Sequence, residues 1–310
     1  MKSIYKFLTC AVLILTLICH PSGLLSAASA SGASTKTYLL VGYDDAAENT
    51  DTICIANFNF DKNEINVLQI PRDTYYGFGH SQNKINQFYS YERAKGSAPN
   101  SAMRSLASSL SKHLSLKIDG FMGISTDSFE KIISAIGGIY VDAESDFSIT
   151  DSEGNLLLSL AKGENFITSR QAMILARHRA SYKRGDLQRM DAQKMLIKGL
   201  YKTLGRGIDY KSLPALISSA DGIVTDMSVI QILSLLRLAR AEQGMSVSVQ
   251  TLPGEAVVGK NGISYYVMNR ANAARIFNNY FSVSEEHFDA ERIFNNPSAE
   301  EFSRIYYNTN

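Results

Sequence analysis

Residues 37–70 constrain the fold more than any other part of this chain, because they read as three β-strands in close succession. Tyr38-Leu39-Leu40-Val41-Gly42, residues 53–60 and residues 65–70 are rich in β-branched and aromatic side chains, which suit a pleated, half-buried surface. Asp61-Lys62-Asn63 predicts a hairpin turn between the last two. The third strand runs into Ile70-Pro71, and proline has no N–H to give to a ladder. Pairing must stop there, so Arg72 and Asp73 project beyond the sheet edge.

Helix and strand then alternate. Residues 101–114 and 128–136 carry apolar side chains at helical spacing on either side of a strand over 118–124. Gly137-Gly138 breaks the second helix before a short strand over 139–141, and Thr168 or Ser169 caps a helix that runs to Ala176. A long helix is expected from Asp186 to Leu204, stopping at Gly205. Helices over 213–219, 229–241 and 271–281 and a strand over 247–252 complete the pattern, which predicts a layered α/β domain. No repeat, low-complexity tract or linker interrupts residues 31–310. They read as one domain with a motif-bearing core over 37–205 and a completing segment over 206–310.

Residues 1–30 are separable. Lys2 and Lys6 precede an apolar run over 7–19, followed by His20, Pro21 and a small-residue stretch over 26–34, the layout of an export signal. The run falls short of the ~20 residues of a spanning helix. Cleavage near Ala28-Ser29-Ala30 is one reading; the other is an uncleaved membrane anchor, extended past Pro21 by Leu24 and Leu25. Cys10 and Cys19 lie in this segment, so a processed chain keeps only Cys54 of the three cysteines and no internal disulfide is possible. Cys54, in an alternating apolar run, reads as a buried strand residue rather than a nucleophile. Loss of Lys2 and Lys6 takes 31 basic residues to 29 against 30 acidic ones, a balance that does not point to nucleic acid. With 45% hydrophobic residues in 310, the chain can bury a substantial core.

Three groups of polar residues carry possible chemistry. Arg72 and Asp73 stand at the strand end, with Lys84-Ile85-Asn86 adding a second cation and an amide; alternatively, Arg72 and Asp73 form a surface ion pair. Arg177-His178-Arg179 is followed by Lys183, Arg184, Gly185, Asp186, Arg189 and Gln193. Asp186, Arg189 and Gln193 share one helix face near its N-terminus, where free amides and guanidinium forks suit phosphate oxygens. A solvated basic face is the plainer alternative. Asp44 and Asp51 close the first strand and open the second, a carboxylate pair able to hold a hard cation; alternatively, Asp44-Asp45 with Glu48 merely forms an acidic turn.

Taken in order, Gly42-Tyr43-Asp44, Thr50-Asp51-Thr52, Ile70-Pro71-Arg72-Asp73-Thr74, Lys84-Ile85-Asn86, Ile136-Gly137-Gly138-Ile139 and Arg177-His178-Arg179 with Gly185-Asp186 and Arg189 resemble the motif series of LytR-CpsA-Psr proteins. Asp226-Met227-Ser228 and residues 262–266 are similar to later segments of that family. The resemblance implies a single three-layer α/β/α domain with a mixed central sheet, and an apolar cleft for a polyprenyl chain. It implies Mg²⁺ on Asp44 and Asp51, phosphate on Arg72, Arg177, Arg179 and Arg189, and support from Lys84, Asn86, Asp186 and Gln193. Asp73 or Asp186 would take the proton of the attacking hydroxyl.

The implied activity moves teichoic acid or a capsular polysaccharide from a polyprenyl pyrophosphate carrier to peptidoglycan. Its implied place is the extracytoplasmic face of a bacterial cytoplasmic membrane, Gram-positive in kind. The rival readings are a polyprenyl-pyrophosphate hydrolase with the same site and a non-catalytic binder of lipid or wall polymer. An older family label, transcriptional attenuator, conflicts with the export signal and the lack of a basic DNA-binding module. Two positions depart from the family pattern: Asn49 and Ala192 stand where arginines are usual.

Overall fold

A computed structural model describes residues 35–46, 48–78, 83–177, 186–207, 222–228, 231–232, 245–259, 262–283 and 302–306. β1 (Thr35–Tyr43), β2 (Thr50–Asn59) and β3 (Glu64–Ile70) form an antiparallel meander. The predicted turn closes it: Asn63 takes φ 54°, a left-handed conformation that asparagine tolerates, and the Lys62 N–H donates to Asn59 Oδ1 at 3.0 Å. α1 (Phe88–Ala94) and α2 (Pro99–His113) then cross over the sheet, so that β4 (Gly120–Ser125) can return parallel to β1. Ser125 caps α3 (Thr126–Ala135) by accepting from the Ser128 N–H at 3.2 Å.

β5 (Ile139–Ala143), β6 (Phe147–Thr150), β7 (Leu156–Leu160) and β8 (Gly163–Ile167) come after α3, pairing as β5 with β8 and β6 with β7. Next come α4 (Ser169–Arg177), α5 (Asp186–Arg206), β9 (Ile223–Thr225), β10 (Ser246–Thr251), β11 (Gly254–Gly259), β12 (Ser264–Met268), α6 (Arg270–Phe281) and β13 (Phe302–Tyr306). The central sheet has six strands in the order β10-β3-β2-β1-β4-β9, with β10 parallel to β3 and β9 antiparallel to β4. β12, β11 and β13 make a separate antiparallel sheet.

Strand alternation sends Leu39, Val41, Ile53, Ile55, Leu68 and Ile70 to one face, where they pack against Phe88, Tyr89, Met103, Leu106, Phe277 and other side chains of α1, α2 and α6. The opposite face presents Cys54, Ala56, Ile65, Val67 and Val249, with Ile197 and Tyr201 of α5 packed on them. Helices thus cover the mixed sheet on both faces, as the resemblance implies. Cys54 is buried and its thiol is pushed up to about 12 by burial, which fits a strand residue and not a nucleophile.

α5 is shared between two cores. Ala192 and Leu196 face a second cluster with Ile139, Val141, Ile149, Leu160 and Leu175, while Ile197 and Tyr201 face the central sheet. The close approach needs Gly199, where an added Cβ would lie 2.5 Å from Tyr140 O. Thr203 locks the same contact, its Oγ1 accepting from the Tyr140 N–H at 2.9 Å and donating to Gly199 O at 2.8 Å. Helix propensity alone would make Gly199→Ala stabilising by about 1 kcal/mol. Backbone crowding should outweigh that, for a net loss of about 1–3 kcal/mol, read as a lowered denaturant midpoint at unchanged slope. A raised midpoint would show that α5 and β5 separate freely.

Several expected elements appear within a few residues of their predicted bounds, but α5 passes through Gly205 and ends at Arg206. The left-handed φ of 99° needed to leave the helix falls on Gly207. The expected helices over 213–219 and 229–241 lie outside the described residues, apart from Gln231 and Ile232. The small strands β6 to β8 and β11 to β13 are additions to the predicted pattern.

Candidate functional site

The end of β3 gathers the first group. In the antiparallel register, Asn59 faces Glu64 and Ile53 faces Ile70; carried two residues further, it sets Asp51 beside Arg72. Arg72 Nη1 donates to Asp51 Oδ1 at 2.5 Å. Asp73 accepts instead from Lys84 Nζ at 3.1 Å, so Arg72 and Asp73 are held by separate partners and the simple surface pair does not describe them. Lys84 also lies 5.6 Å from the Tyr265 ring centroid. Asn86 fixes this loop through its backbone: its N–H donates to Arg72 O at 3.2 Å and its carbonyl accepts from Thr50 Oγ1 at 3.2 Å. Its side-chain Oδ1 is buried and has no hydrogen-bond partner.

The carboxylates Asp44 and Asp51 share this sheet end. β1 and β2 slip register after Gly42, where Tyr43 pairs with Thr50, which leaves Asp51 as the extra residue of a bulge. Bulges re-aim side chains. Asp44 Oδ1 accepts from the Ala46 N–H at 3.0 Å, Asp45 Oδ2 from the Asp127 N–H at 3.0 Å, and Glu48 from Arg93 Nε at 3.0 Å. Asp44, Asp45 and Glu48 therefore serve as turn and packing contacts, as in the acidic-turn reading, while Asp51 pairs with Arg72. Two carboxylates are donors of the kind Mg²⁺ takes, usually one or two with substrate phosphates and water completing the shell. Among the described residues no group of three or more His, Cys, Asp or Glu gathers to hold a metal, so an ion on Asp44 and Asp51 would need substrate and water to complete its shell.

α5 brings the second group to the same end. Tyr201 accepts from the Met245 N–H at 2.6 Å, just before β10 begins, which fixes the C-terminal half of α5 at the β2–β3 turn end of the sheet. The twelve residues back to Arg189 span about 18 Å, close to the ~20 Å length of six-residue β10, so Arg189 reaches the level at which β3 and β10 end. An open cavity of about 530 Å³, lined by Asp191, Thr251 and Leu252 together, agrees with that level. Arg189 is 1% exposed and Gln193 is also buried, so this helix face points into the protein and is not a solvated basic face. Gln193 Nε2 donates to Ala176 O at 3.3 Å, tying the C-terminal end of α4, and with it exposed Arg177, to the first turns of α5.

Asp186 opens α5, as expected, though its side chain lies outside the described residues; so do Arg179, Lys183 and Arg184. The two departures have structural accounts. Ala192 is buried in the second cluster, and Asn49 Oδ1 accepts from Ser90 Oγ at 3.2 Å. Arg93, which the sequence did not single out, is the cation that reaches this loop, through Glu48.

Comparison with known proteins shows the fold and the family. A teichoic acid transferase TagU of Bacillus mycoides, in full polyisoprenyl-teichoic acid–peptidoglycan teichoic acid transferase, is 25% identical over 261 residues, covering 81% of this chain and 79% of the relative. The crystal structure of Bacillus subtilis TagV shares the fold at 22% identity and a TM-score of 0.61, covering 82% of this chain and 97% of that one. The structure of TagT bound to LI-WTA does so at 18% identity and a TM-score of 0.63, covering 81% of this chain and 92% of that one. The model of the LytR_cpsA_psr family matches residues 24–282, which span the central sheet, both carboxylates and the arginines at 72, 177, 179 and 189, and the chain belongs to that family.

Proposed function

We propose that the chain transfers a glycopolymer, a teichoic acid or a capsular polysaccharide, from a polyprenyl pyrophosphate carrier to peptidoglycan at the outer face of the cytoplasmic membrane. One observation carries the reading: buried Arg189 of α5, on the helix stripe of Ile197 and Tyr201 that covers an apolar layer of the central sheet, reaches the sheet end at which Arg72 follows β3. An apolar layer with guanidinium groups gathered at one end of its sheet matches an amphiphile with an anionic head. The names of the family's transferases supply the class of polymer and acceptor.

In this reading a sugar hydroxyl oxygen bonds to the phosphorus that carries the glycopolymer. The bond from that phosphorus to the bridging oxygen breaks, and polyprenyl phosphate leaves with that oxygen. The hydroxyl proton passes to a carboxylate, Asp73 or Asp186. Such transfers ask little covalent work of the protein, so positioning and charge stabilisation dominate. Arg72, Arg177, Arg179 and Arg189 bind phosphate oxygens, Gln193 and Asn86 hold the backbone that presents them, and Lys84 keeps Asp73 in place. Mg²⁺ on Asp44 and Asp51 would neutralise charge on the diphosphate.

The test is incubation of the purified chain with a labelled lipid-diphosphate oligosaccharide, with and without peptidoglycan fragments. Label joined to peptidoglycan supports transfer. Free phosphorylated oligosaccharide in both reactions identifies a hydrolase, and unchanged donor a binding protein. The compartment has its own check: a periplasmic-type phosphatase reporter fused after Ser31 should be active outside the membrane, and a reporter retained in the cytoplasm would remove the wall-polymer reading altogether.

A further inference from the structure

Gln69 is the penultimate residue of β3, opposite Cys54 on β2 and Thr251 on β10. Alternation along the strand puts its side chain on the face of Ile65 and Val67, towards α5, and away from the face of Leu68 and Ile70. It is 1% exposed, and among the described residues neither Nε2 nor Oε1 has a hydrogen-bond partner. Cys54, Ala56, Val67 and Val249 make the neighbouring positions of that face apolar, with Thr251 beside the amide at the strand end. An amide buried with both polar atoms unpaired destabilises the fold, and leucine or methionine would fill a similar volume without that cost.

The position of this amide suggests why it is kept. It stands three residues before Arg72, at the level to which Arg189 and Gln193 descend from α5, and at the upper limit of the apolar layer. We propose that Gln69 is a further substrate-binding residue, whose Nε2 donates to a diphosphate oxygen where the carrier's prenyl chain meets its head group. The inference rests on the carrier-lipid reading of the site and adds a neutral donor to its cations. A neutral amide at the chain–head junction reads the position of the head group along the cleft, which the long, charged arginine side chains do less strictly.

Binding of geranylgeranyl diphosphate and of geranylgeraniol to the full chain in detergent, for wild type and Gln69→Leu, tests it. Loss of one hydrogen bond to a charged group should weaken diphosphate binding in the variant by about tenfold to a hundredfold. Binding of the alcohol should be unchanged, and the ligand-free thermal midpoint unchanged or higher. Equal diphosphate affinity in both proteins would overturn the inference while leaving the site reading intact. So would a lowered midpoint with both ligands weakened alike, the signature of an amide that merely anchors a buried water. Wild type that binds neither ligand would refute the carrier-lipid reading itself, and this inference with it. Gln69→Met, judged by the same criteria, stands in if the leucine variant does not fold.

Discussion

Arg72→Ala should lower turnover of a lipid-diphosphate donor by about tenfold to a hundredfold, the loss of one charge-assisted hydrogen bond of roughly 1.5–3 kcal/mol, with little change in stability. The Arg72–Asp51 pair is partly exposed, with side chains 20% and 33% accessible, so its loss should cost the fold only ~0.2–1 kcal/mol. Arg72→Lys should not restore turnover fully, because an ammonium lacks the planar two-donor fork of guanidinium. The pairing adds a consequence of opposite sign. A guanidinium 2.5 Å from Asp51 Oδ1 competes with any cation for that carboxylate, so Arg72→Ala should tighten Mg²⁺ binding in the absence of substrate even as turnover falls. Calorimetric Mg²⁺ titration beside donor turnover reads both. Wild-type turnover in Arg72→Ala would remove Arg72 from the phosphate-binding set.

The Arg72–Asp51 pairing was accessible from the sequence in part. Pro71 shows where β3 must end, and the hairpin turn over 61–63 sets a register that, traced outward, pairs 51 with 72. The slip between β1 and β2 was not accessible, since nothing in Gly42-Tyr43 or Thr50-Asp51-Thr52 marks a bulge, and the placement of Asp51 depends on it. Arg189 and Gln193 were legible as a helix face but not as a buried one. Their burial comes from α5 lying between two cores, and that is set by the β5–β8 and β6–β7 pairs, whose strands are only four or five residues long. The exposed Leu156 and Leu157 disrupt the alternation by which β7 would be recognised. Gln69 carried a readable signal, an amide in an otherwise apolar strand interior, yet its face is known only once the helix covering the sheet is known.

The same geometry makes the carboxylates the most sensitive positions. Asp44→Ala and Asp51→Ala should each reduce Mg²⁺-dependent turnover by about a hundredfold or more, because an ion offered only two carboxylates among the described residues cannot lose one and keep both its place and its several kcal/mol of charge stabilisation. Neither side chain lies in the apolar clusters, so both variants should fold with near-native thermal midpoints. The variants should differ in one respect. Asp51→Ala removes one negative charge from beside Arg72, so donor binding without metal should persist or tighten. Asp44 instead caps its own turn through the Ala46 N–H, and donor binding without metal should stay at the wild-type level in Asp44→Ala. Activity that is indifferent to Mg²⁺ in wild type, or full turnover in both alanine variants, would take the metal assignment away from this pair.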